Sequence, residues 1–300
     1  MNSDHAHRGL PVVLVTGANG QLGRELQDLA PQHPQYQFIF LSRDQLRIDQ
    51  EAEVRSAVSL HHPGFCINCA AYTAVDKAES EKEEAFLINA KAVGNLAAIC
   101  REYGARFIHI STDYVFDGIA TEPYKESDQT DPVNIYGASK LEGERVAMKN
   151  NPESLIIRTS WVYSSYGKNF VKTMLRLMRE KDELNVVNDQ YGSPTYAADL
   201  ADVILQIVNK AYISTLPGTI PAGIFHYSND AAITWFEFAI AIRDLIRSKC
   251  TINPISTADF PTPAKRPGYA VLDKASIQDA FGIELKDWKQ SLASCLKLID

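Results

Sequence analysis

Short apolar runs alternate with amphipathic segments through the first half of the chain. The runs PVVLV, QFIFLS, GFCINCAA, ARFIHIST and SLIIRTSWVY have the length and apolar content of buried parallel strands. Segments with apolar residues at helical spacing lie between them, at LGRELQDLA and over residues 49–60, 78–103 and 136–149. This alternation predicts a parallel sheet with right-handed crossovers and helices on both faces.

The pattern changes after about residue 163. Helices are predicted over residues 170–180 and 199–210 and at TWFEFAIAIRDLIRS, with a short strand at LNVVND and a loop at QYGSPTY. The Pro-rich segment 261–267 is not expected to be helical. The most economical architecture is therefore a large sheet domain followed by a smaller C-terminal part, with some segments crossing between them.

Composition and charge narrow the class of protein. Hydrophobic residues make up 45% and charged residues 22% of the 300 positions, as in ordinary globular proteins. The net charge of -7 argues against nucleic-acid binding but leaves an anionic small ligand open. Residues 1–10 lack the apolar core of a signal peptide and read as a flexible tail, and no apolar run reaches the length of about 18 residues typical of a membrane span. We therefore expect a cytoplasmic protein without a membrane or nucleic-acid partner.

A glycine-rich turn follows the first predicted strand and opens the first predicted helix. In GANGQLG, Gly17 permits the tight turn, Gly20 lets the backbone approach a pyrophosphate, and Gly23 permits close packing of helix and strand. The helix N-terminus adds free N–H groups and a positive dipole end. In this strand–turn–helix context the motif favours a bound dinucleotide over a plain glycine turn.

The end of the second predicted strand bears on the kind of dinucleotide. Arg43 suits the 2′-phosphate of NADPH, whereas Asp44 suits the free 2′-hydroxyl of NADH. Both cofactors stay open, with a slight preference for NADPH or dual use because a guanidinium lies next to Ser42.

A tyrosine and a lysine lie four residues apart in YGASK. Tyr136 and Lys140 share one face of the predicted helix, and a nearby ammonium lowers the pKa of a phenol from its ordinary value of about 10. Ser111, Thr112 and Asp113 end the strand ARFIHI, at the edge where ligands bind in open α/β sheets. Together with the glycine turn, this arrangement indicates an acid, its tuning cation and an orienting group rather than a surface pair.

These motifs resemble the extended short-chain dehydrogenase/reductase family. The likeness runs from about residue 12 to 286 and is carried by TGANGQLG, NCAAYTAVDKAE, HISTDYVFDG, YGASKLEGE, RTSWVY and NDQYGSPT. It implies a Rossmann-like, doubly wound α/β fold with a smaller C-terminal substrate-binding domain. Within the family, STDYVF and RTSWVY resemble the motifs of the branch that reduces dTDP-linked 4-keto sugars. The implied reaction is reduction of the C4 keto group of dTDP-4-dehydro-β-L-rhamnose by NADPH or NADH.

The resemblance also implies roles for single residues. Tyr136 would protonate the C4 keto oxygen, Lys140 would hold the nicotinamide ribose and lower the tyrosine pKa, and Thr112 would align the sugar oxygen. The implied cofactor contacts are Gly17, Gly20, Gln21, Leu22, Gly23, Arg43, Asp49, Ala71, Tyr72, Thr73, Tyr136 and Lys140. The implied substrate contacts are Thr112, Asp113, Trp161, Asn169 and Arg266. For Arg266, a surface ion pair is the equal alternative to a phosphate contact.

The family pattern divides the chain into two domains. The NAD(P)-binding domain is expected over residues 11–162 with roughly 197–228, and the sugar-nucleotide-binding domain over roughly 163–196 with 229–300.

Some relatives dimerise through acidic residues that bind magnesium. Glu25 matches one such residue, but Ala198 replaces a second acid and Asp199 lies one step away. A homodimer is left open, magnesium is in doubt, and no metal ligand is assigned.

Two alternatives remain. A sugar-nucleotide epimerase or dehydratase shares the fold, although a dehydratase usually has Asp-Glu after the threonine and this chain has Asp113-Tyr114. A non-catalytic relative serves as a regulatory subunit of methionine adenosyltransferase, but intact Thr112, Tyr136 and Lys140 argue against that role.

Overall fold

The computed structural model describes residues 9–213 and 221–299, so residues 1–8 of the expected tail lie outside the described residues. The strands in this part are β1 Val12–Thr16, β2 Gln37–Leu41, β3 Phe65–Asn68, β4 Arg106–Thr112, β5 Leu155–Thr159, β6 Val162–Tyr163, β7 Glu183–Val187, β8 Tyr191–Gly192, β9 Thr195–Tyr196, β10 Gly223–His226, β11 Ile233–Thr234 and β12 Thr251–Ile255. The α-helices are α1 Gln21–Leu29, α2 Glu51–His61, α3 Val75–Ala78, α4 Lys82–Phe86, α5 Ala92–Glu102, α6 Ile135–Asn150, α7 Phe170–Glu180, α8 Ala197–Ile213, α9 Trp235–Leu245, α10 Ala275–Phe281 and α11 Trp288–Leu296.

Six strands form one sheet in the order β10-β5-β4-β3-β1-β2, and every neighbouring pair is parallel. The predicted doubly wound α/β fold is thereby confirmed. The strand order reverses direction at β1, which pairs with β2 on one side and β3 on the other. Ligands of such sheets bind in the crevice beyond the carboxyl ends of the strands at this reversal.

Both faces of the sheet are covered, which explains the continuous apolar runs of its strands. Successive residues of a strand face opposite sides. Val13 and Val15 belong to the core under α1 and α8, whereas Leu14 belongs to the core under α2 and α5. All three side chains are fully buried.

The helix predicted over residues 78–103 is present from residue 82 to 102, but it starts later than predicted and is not a regular α-helix throughout. The structure has α3 and α4, then a π-helical turn over Leu87–Lys91, and then α5. The neighbouring α6 packs so closely that a side chain at Gly143 would collide with the carbonyl oxygen of Asn89. Ile88 of the π turn lines a cavity at the carboxyl ends of the strands, in keeping with the frequent location of such turns at functional sites.

The run SLIIRTSWVY also divides, because β5 and β6 are separated at Ser160 and Trp161. Trp161 adopts a left-handed backbone with φ of 46°, a conformation that is uncommon for residues other than glycine. The predicted loop QYGSPTY contains β8 and β9, which pair with β11 and β6.

The C-terminal part has its own apolar cluster. Strands β7 and β12 pair in parallel, and α7, α9 and α11 contribute Leu175, Phe238 and Leu292 to the cluster. In the part of the chain that the structure describes, no helix is long and apolar enough to cross a membrane. All five cysteines are free thiols.

Candidate active site

The glycine turn connects β1 to α1 as the sequence predicts. Gly17 has a φ of +68°, and a Cβ there would lie 2.6 Å from the backbone nitrogen of Ala70. Gly20 precedes α1 with an extended backbone and no side chain that caps the helix. The first N–H groups of α1 are therefore left for another acceptor, as at a phosphate site.

A cavity of about 240 Å³ lies beside this turn at the carboxyl ends of β1, β2 and β3. Its wall includes the predicted cofactor residues Gly17, Gly20, Arg43, Asp49, Ala71 and Tyr72. Leu22 instead packs into the core beneath the sheet. The glycine turn, the free helix end and this cavity together fit a dinucleotide cofactor.

Charged groups border the cavity. The Arg43 guanidinium is exposed and lies 3.7 Å from the Glu84 carboxylate. Asp49 accepts hydrogen bonds from Arg47 at 2.7 Å and from Gln50 at 2.9 Å. Burial raises the pKa of Asp49, but these hydrogen bonds outweigh it and hold the pKa below its ordinary value. The rim thus offers the exposed Arg43 guanidinium and the carboxylates of Asp49 and Glu84 to an adenosine ribose.

A relay of hydrogen bonds ties the cavity wall to α6. The Tyr72 N–H donates to Asn89 Oδ1 at 2.8 Å, and Asn89 Nδ2 donates to Ser139 Oγ at 3.0 Å. Ser139 Oγ in turn donates to the carbonyl oxygen of Tyr136 at 2.8 Å. Sequence reasoning missed Asn89, a fully buried amide within a helical pattern.

The start of α6 is held against the end of β4. The Asn134 side chain caps the helix by accepting from the Gly137 N–H at 2.8 Å. A side chain at Gly137 would collide with the carbonyl oxygen of Tyr114. The Tyr114 and Tyr136 rings meet edge to face at 5.7 Å. The structure therefore brings Tyr136 next to the strand end that carries Thr112.

Burial controls the acidity of Tyr136. It raises the pKa of the phenol to about 12; a hydrogen bond with Thr112 lowers the pKa and the charge of Asp113 raises it further. Lys140 is not among the causes of this shift in the structure, and its expected role in lowering the phenol pKa stays a prediction. The lysine Nζ instead donates to the Ile110 carbonyl oxygen at 2.6 Å.

Asp113 has one carboxyl oxygen without a partner. Thr112 Oγ1 donates to Asp113 Oδ1 at 2.9 Å, whereas Oδ2 has no hydrogen-bond partner among the described residues. The side chain is 3% exposed, and burial raises its pKa to about 7. Buried polar atoms are usually paired, so this oxygen is suited to a hydroxyl group of a ligand.

Trp161 and Trp235 stack with ring centroids 3.6 Å apart and an interplanar angle of 13°. The Trp161 indole also lies against Gly192, where a Cβ would approach the ring to 2.5 Å. The left-handed backbone of Trp161 and this stack fix the ring at the border of the C-terminal part.

Asn169 is engaged within the protein. Its side chain accepts from the Lys172 N–H at 3.0 Å, which caps α7. Its amide nitrogen donates to the Ser164 carbonyl oxygen at 2.7 Å and to Gln21 Oε1 at 2.8 Å. Its contact with a nucleotide stays a prediction.

Arg266 forms an ion pair with Asp76 at 2.9 Å and donates to the carbonyl oxygen of Ala264 at 3.0 Å. The side chain is only 18% exposed, and its charge acts on Tyr114. The ion pair considered from the sequence is therefore present at the site rather than on the open surface, and the phosphate contact stays a prediction.

The acids considered for magnesium have partners within the chain. Glu25 accepts from Ser164 Oγ at 2.5 Å, and burial raises its pKa. Asp199 accepts from Asn229 at 2.7 Å and pairs with Lys286 at 3.1 Å. Within residues 9–213 and 221–299, no group of three or more His, Cys, Asp or Glu is placed to hold a metal.

Sequence reasoning also missed a buried ion pair behind the site. Arg158 on β5 donates two hydrogen bonds to Glu144 on α6, at 2.9 and 2.7 Å, and Ser111 Oγ donates to the same carboxylate at 2.5 Å. The arginine within the apolar run SLIIRTS was the available signal, since a charge on a buried strand needs a partner.

A parallel sheet that reverses at the glycine turn, with a tyrosine and a lysine on α6 beside a threonine at the end of β4, defines an α/β protein of the short-chain dehydrogenase/reductase class. Within that class, the chain belongs to the family described as "RmlD substrate binding domain", whose model matches residues 12–300.

Named relatives support this membership along nearly the whole chain. A dTDP-4-dehydrorhamnose reductase from Aggregatibacter actinomycetemcomitans is 43% identical over 286 residues, which cover 93% of this chain and 96% of the relative. The crystal structure of a dTDP-4-dehydrorhamnose reductase from Clostridium acetobutylicum is 40% identical, with a TM-score of 0.89 and coverage of 96% and 99% of the two chains. One from Bacillus anthracis, in complex with NADP, is 39% identical, with a TM-score of 0.88 and the same coverage.

Proposed function

We propose that this protein reduces the C4 keto group of dTDP-4-dehydro-β-L-rhamnose to give dTDP-β-L-rhamnose, with NADPH or NADH as reductant. The observation that carries the proposal is the placement of Tyr136, Thr112 and the unpartnered Asp113 oxygen at the end of β4, the strand that pairs with β3, whose end borders the cavity that fits a dinucleotide. The B. anthracis relative, which contains NADP, supports the nicotinamide cofactor.

The residues of the chain bind, orient and supply a proton. The glycine turn and the N-terminus of α1 hold the pyrophosphate, and the exposed Arg43 favours the 2′-phosphate of NADPH. When bound, the cofactor supplies the hydride that adds to C4. Thr112, whose single hydroxyl proton bonds to Asp113 in this structure, turns that proton to the sugar oxygen and so aligns the oxygen with the phenol of Tyr136.

Tyr136 is the general acid. Its raised pKa of about 12 keeps the phenol protonated at neutral pH. As negative charge develops on the C4 oxygen, the Tyr136 hydroxyl proton passes to that oxygen, and the phenolate recovers a proton from solvent. Proton donation of this kind contributes about 10²–10⁴-fold to a rate.

The remaining assignments extend this proposal. Arg266 binds the diphosphate in exchange for Asp76, Trp161 and Asn169 contact the nucleotide sugar, and Asp113 accepts a sugar hydroxyl. Residues 11–162 with roughly 197–228 form the cofactor domain, and roughly 163–196 with 229–300 form the substrate domain. A homodimer, a cytoplasmic location and a doubtful magnesium site stay predictions from the sequence.

A coupled assay tests the function. The purified protein is incubated with dTDP-4-keto-6-deoxyglucose, a 3,5-epimerase and NADPH or NADH, and the nucleotide sugars are separated. We expect dTDP-rhamnose together with stoichiometric oxidation of the cofactor, and none without this protein. Tightly retained NAD with no net oxidation of NADPH would instead favour an epimerase.

A further inference from the structure

A buried chain of polar side chains runs from β1 to Lys140. Thr16 Oγ1 donates to Asn68 Oδ1 at 2.6 Å, and Asn68 Nδ2 lies 3.0 Å from His109 Nδ1. His109 Nε2 lies 3.3 Å from Lys140 Nζ. None of these four side chains is more than 1% exposed. They come from β1, β3, β4 and α6. The proton transfer proposed above uses the Tyr136 phenol and none of these four side chains.

The orientation of the Asn68 amide follows from a backbone partner. The Ala70 N–H, which can only donate, lies 3.2 Å from Asn68 Oδ1. The amide oxygen is therefore the acceptor of both Thr16 and Ala70, and the amide nitrogen faces His109. Because an amide nitrogen only donates, His109 Nδ1 has to accept and carries no proton.

This arrangement places the proton of His109 on Nε2. Burial, and after it the charge of Lys140, holds the pKa of His109 well below its ordinary value, so the ring is neutral. A neutral imidazole has one N–H group. With Nδ1 accepting from Asn68, the N–H lies on Nε2 and faces Lys140 Nζ.

A charged Lys140 cannot bond to that N–H. An ammonium has three donors and no lone pair, so it would oppose the His109 N–H at 3.3 Å. An uncharged amine accepts from His109 Nε2 and still donates to the Ile110 carbonyl oxygen at 2.6 Å. The geometry thus favours the uncharged form of Lys140.

Other groups around Lys140 act on it in both directions. Burial lowers its pKa to about 8, whereas the Glu144 carboxylate on the same helix raises it. Glu144 is itself neutralised by Arg158 of β5 at 2.7 Å. The π turn packed on α6 contributes the uncharged Asn89.

We propose that His109 is a positioning residue for Lys140: with Nδ1 held as an acceptor by Asn68, its ring presents an N–H to the lysine and favours the uncharged amine over the ammonium until Lys140 turns to a bound cofactor. The proposal rests on the proposed function for the identity of that cofactor. In turning to ribose hydroxyl oxygens, which accept hydrogen bonds, Lys140 leaves His109 and takes one proton from solvent. Above about pH 8, where Lys140 is mostly uncharged, cofactor binding is then linked to the uptake of a proton.

The charge state of Lys140 can be measured without cofactor or substrate. Protein labelled with ¹³C at lysine Cε is titrated by NMR, and the Lys140 signal is assigned as the one that Lys140→Arg removes. We expect a midpoint at about pH 8 in the wild type.

Two variants test whether His109 causes this low midpoint. Asn68→Asp makes the partner of Nδ1 an acceptor, which moves the His109 proton to Nδ1 and frees Nε2 to accept. His109→Gln adds no charge and offers Lys140 an amide oxygen. Each is expected to raise the midpoint by about one pH unit or more, a factor of about ten in proton affinity.

A wild-type midpoint at the ordinary lysine value of about 10.4 would overturn the proposal. So would an unchanged midpoint in both variants.

NADPH titrations followed by fluorescence form a second test. The affinity for NADPH should fall above about pH 8 in the wild type and only at higher pH in Asn68→Asp. If NADPH does not bind at all, the proposed function is wrong, while the NMR titration still decides the role of His109.

Discussion

The cofactor side and the substrate side of the cleft differ in the groups that form them. The cofactor side is mostly backbone, with the turn at Gly17 and Gly20 and the uncapped start of α1 beside an open cavity. The substrate side is mostly side chains that already have partners. Trp161 stacks on Trp235, Asn169 caps α7, and Arg266 pairs with Asp76.

This difference indicates how each side binds. A backbone site is formed in advance, so a dinucleotide meets N–H groups already in position. A substrate that reaches Arg266 must replace the Asp76 carboxylate, and the lost contact reduces the net gain in free energy. The substrate side is therefore where affinity should depend most on substitutions outside the direct contacts.

The largest expected effect comes from Tyr136, which lies between the two sides. Tyr136→Phe removes the proton donor and leaves the glycine turn untouched, so kcat should fall about 10²–10⁴-fold. The Kd for NADPH should change by no more than about threefold, since Tyr136 is only one of the predicted cofactor contacts. Steady-state kinetics and NADPH fluorescence measure the two values. The control is Tyr114→Phe, whose ring meets Tyr136 edge to face at 5.7 Å and which should keep kcat within about threefold, less than about 1 kcal/mol in the barrier. Equal losses in the two variants would contradict the assignment of the acid.

The contrast between the two sides also explains what the sequence could reveal. The glycine turn and the YGASK pair are local patterns, in which glycine positions and helical spacing specify geometry within a few residues. The parallel sheet follows from the alternation of strands and helices. These features were predicted because their causes are adjacent in the chain.

The partners on the substrate side come from distant positions. Arg266 and Asp76 are 190 residues apart, and Asn169 and Gln21 are 148 residues apart. The π turn depends on the close approach of Gly143, on a different helix. The raised pKa of Tyr136 depends on burial. Such features need the packed structure, because a pattern along the chain carries no record of which helices meet.

A second effect should appear in stability. Burial raises the pKa of Asp113 to about 7 from 3.8, so the folded state binds this proton more tightly than the unfolded state. The group then makes the free energy of unfolding fall as pH rises between these two values. Asp113→Asn removes the effect, so the variant should be more stable than the wild type above about pH 7, on the order of a few kcal/mol. Urea unfolding at several pH values measures this difference.

Asp117 gives a control of opposite sign. A hydrogen bond from Tyr124 lowers the pKa of Asp117, so its contribution to stability is present above its unfolded pKa and is lost on acidification. Asp117→Asn should therefore lose stability at neutral pH. A gain of the same sign in both variants would mean that removal of negative charge in general, rather than burial of Asp113, stabilises the protein.

Because backbone groups form the cofactor side, a substitution at Gly17 should weaken cofactor binding, with a smaller effect than the two above. Gly17→Ala places a Cβ 2.6 Å from the Ala70 nitrogen at a φ of +68°, so the turn has to shift and the Kd for NADPH should rise by at least about tenfold, or ~1.4 kcal/mol. Gly104→Ala is the matched control, because it has a φ of +71° with nothing within 4 Å. Both variants bear the strain of a positive φ, roughly 1–3 kcal/mol in stability, but only Gly17→Ala should weaken NADPH binding.

The smallest expected effect concerns the ion pair at Arg266. It distinguishes an Asp76 carboxylate that competes with the substrate diphosphate from one that holds Arg266 in its binding position. If Asp76 occupies the guanidinium that the diphosphate needs, Asp76→Asn weakens the 2.9 Å ion pair and should lower the KM for the nucleotide sugar about threefold, or ~0.7 kcal/mol. Arg266→Gln should raise the same KM, and neither change should alter the Kd for NADPH.

Asp76 also accepts from the Ala264 N–H at 3.2 Å, so it fixes the segment that carries Arg266. The amide oxygen introduced by Asp76→Asn can keep that hydrogen bond while the charge is lost, which confines the change to the ion pair. A raised KM in this variant would show that the carboxylate holds Arg266 in its binding position, and the substrate side would then be as preformed as the cofactor side.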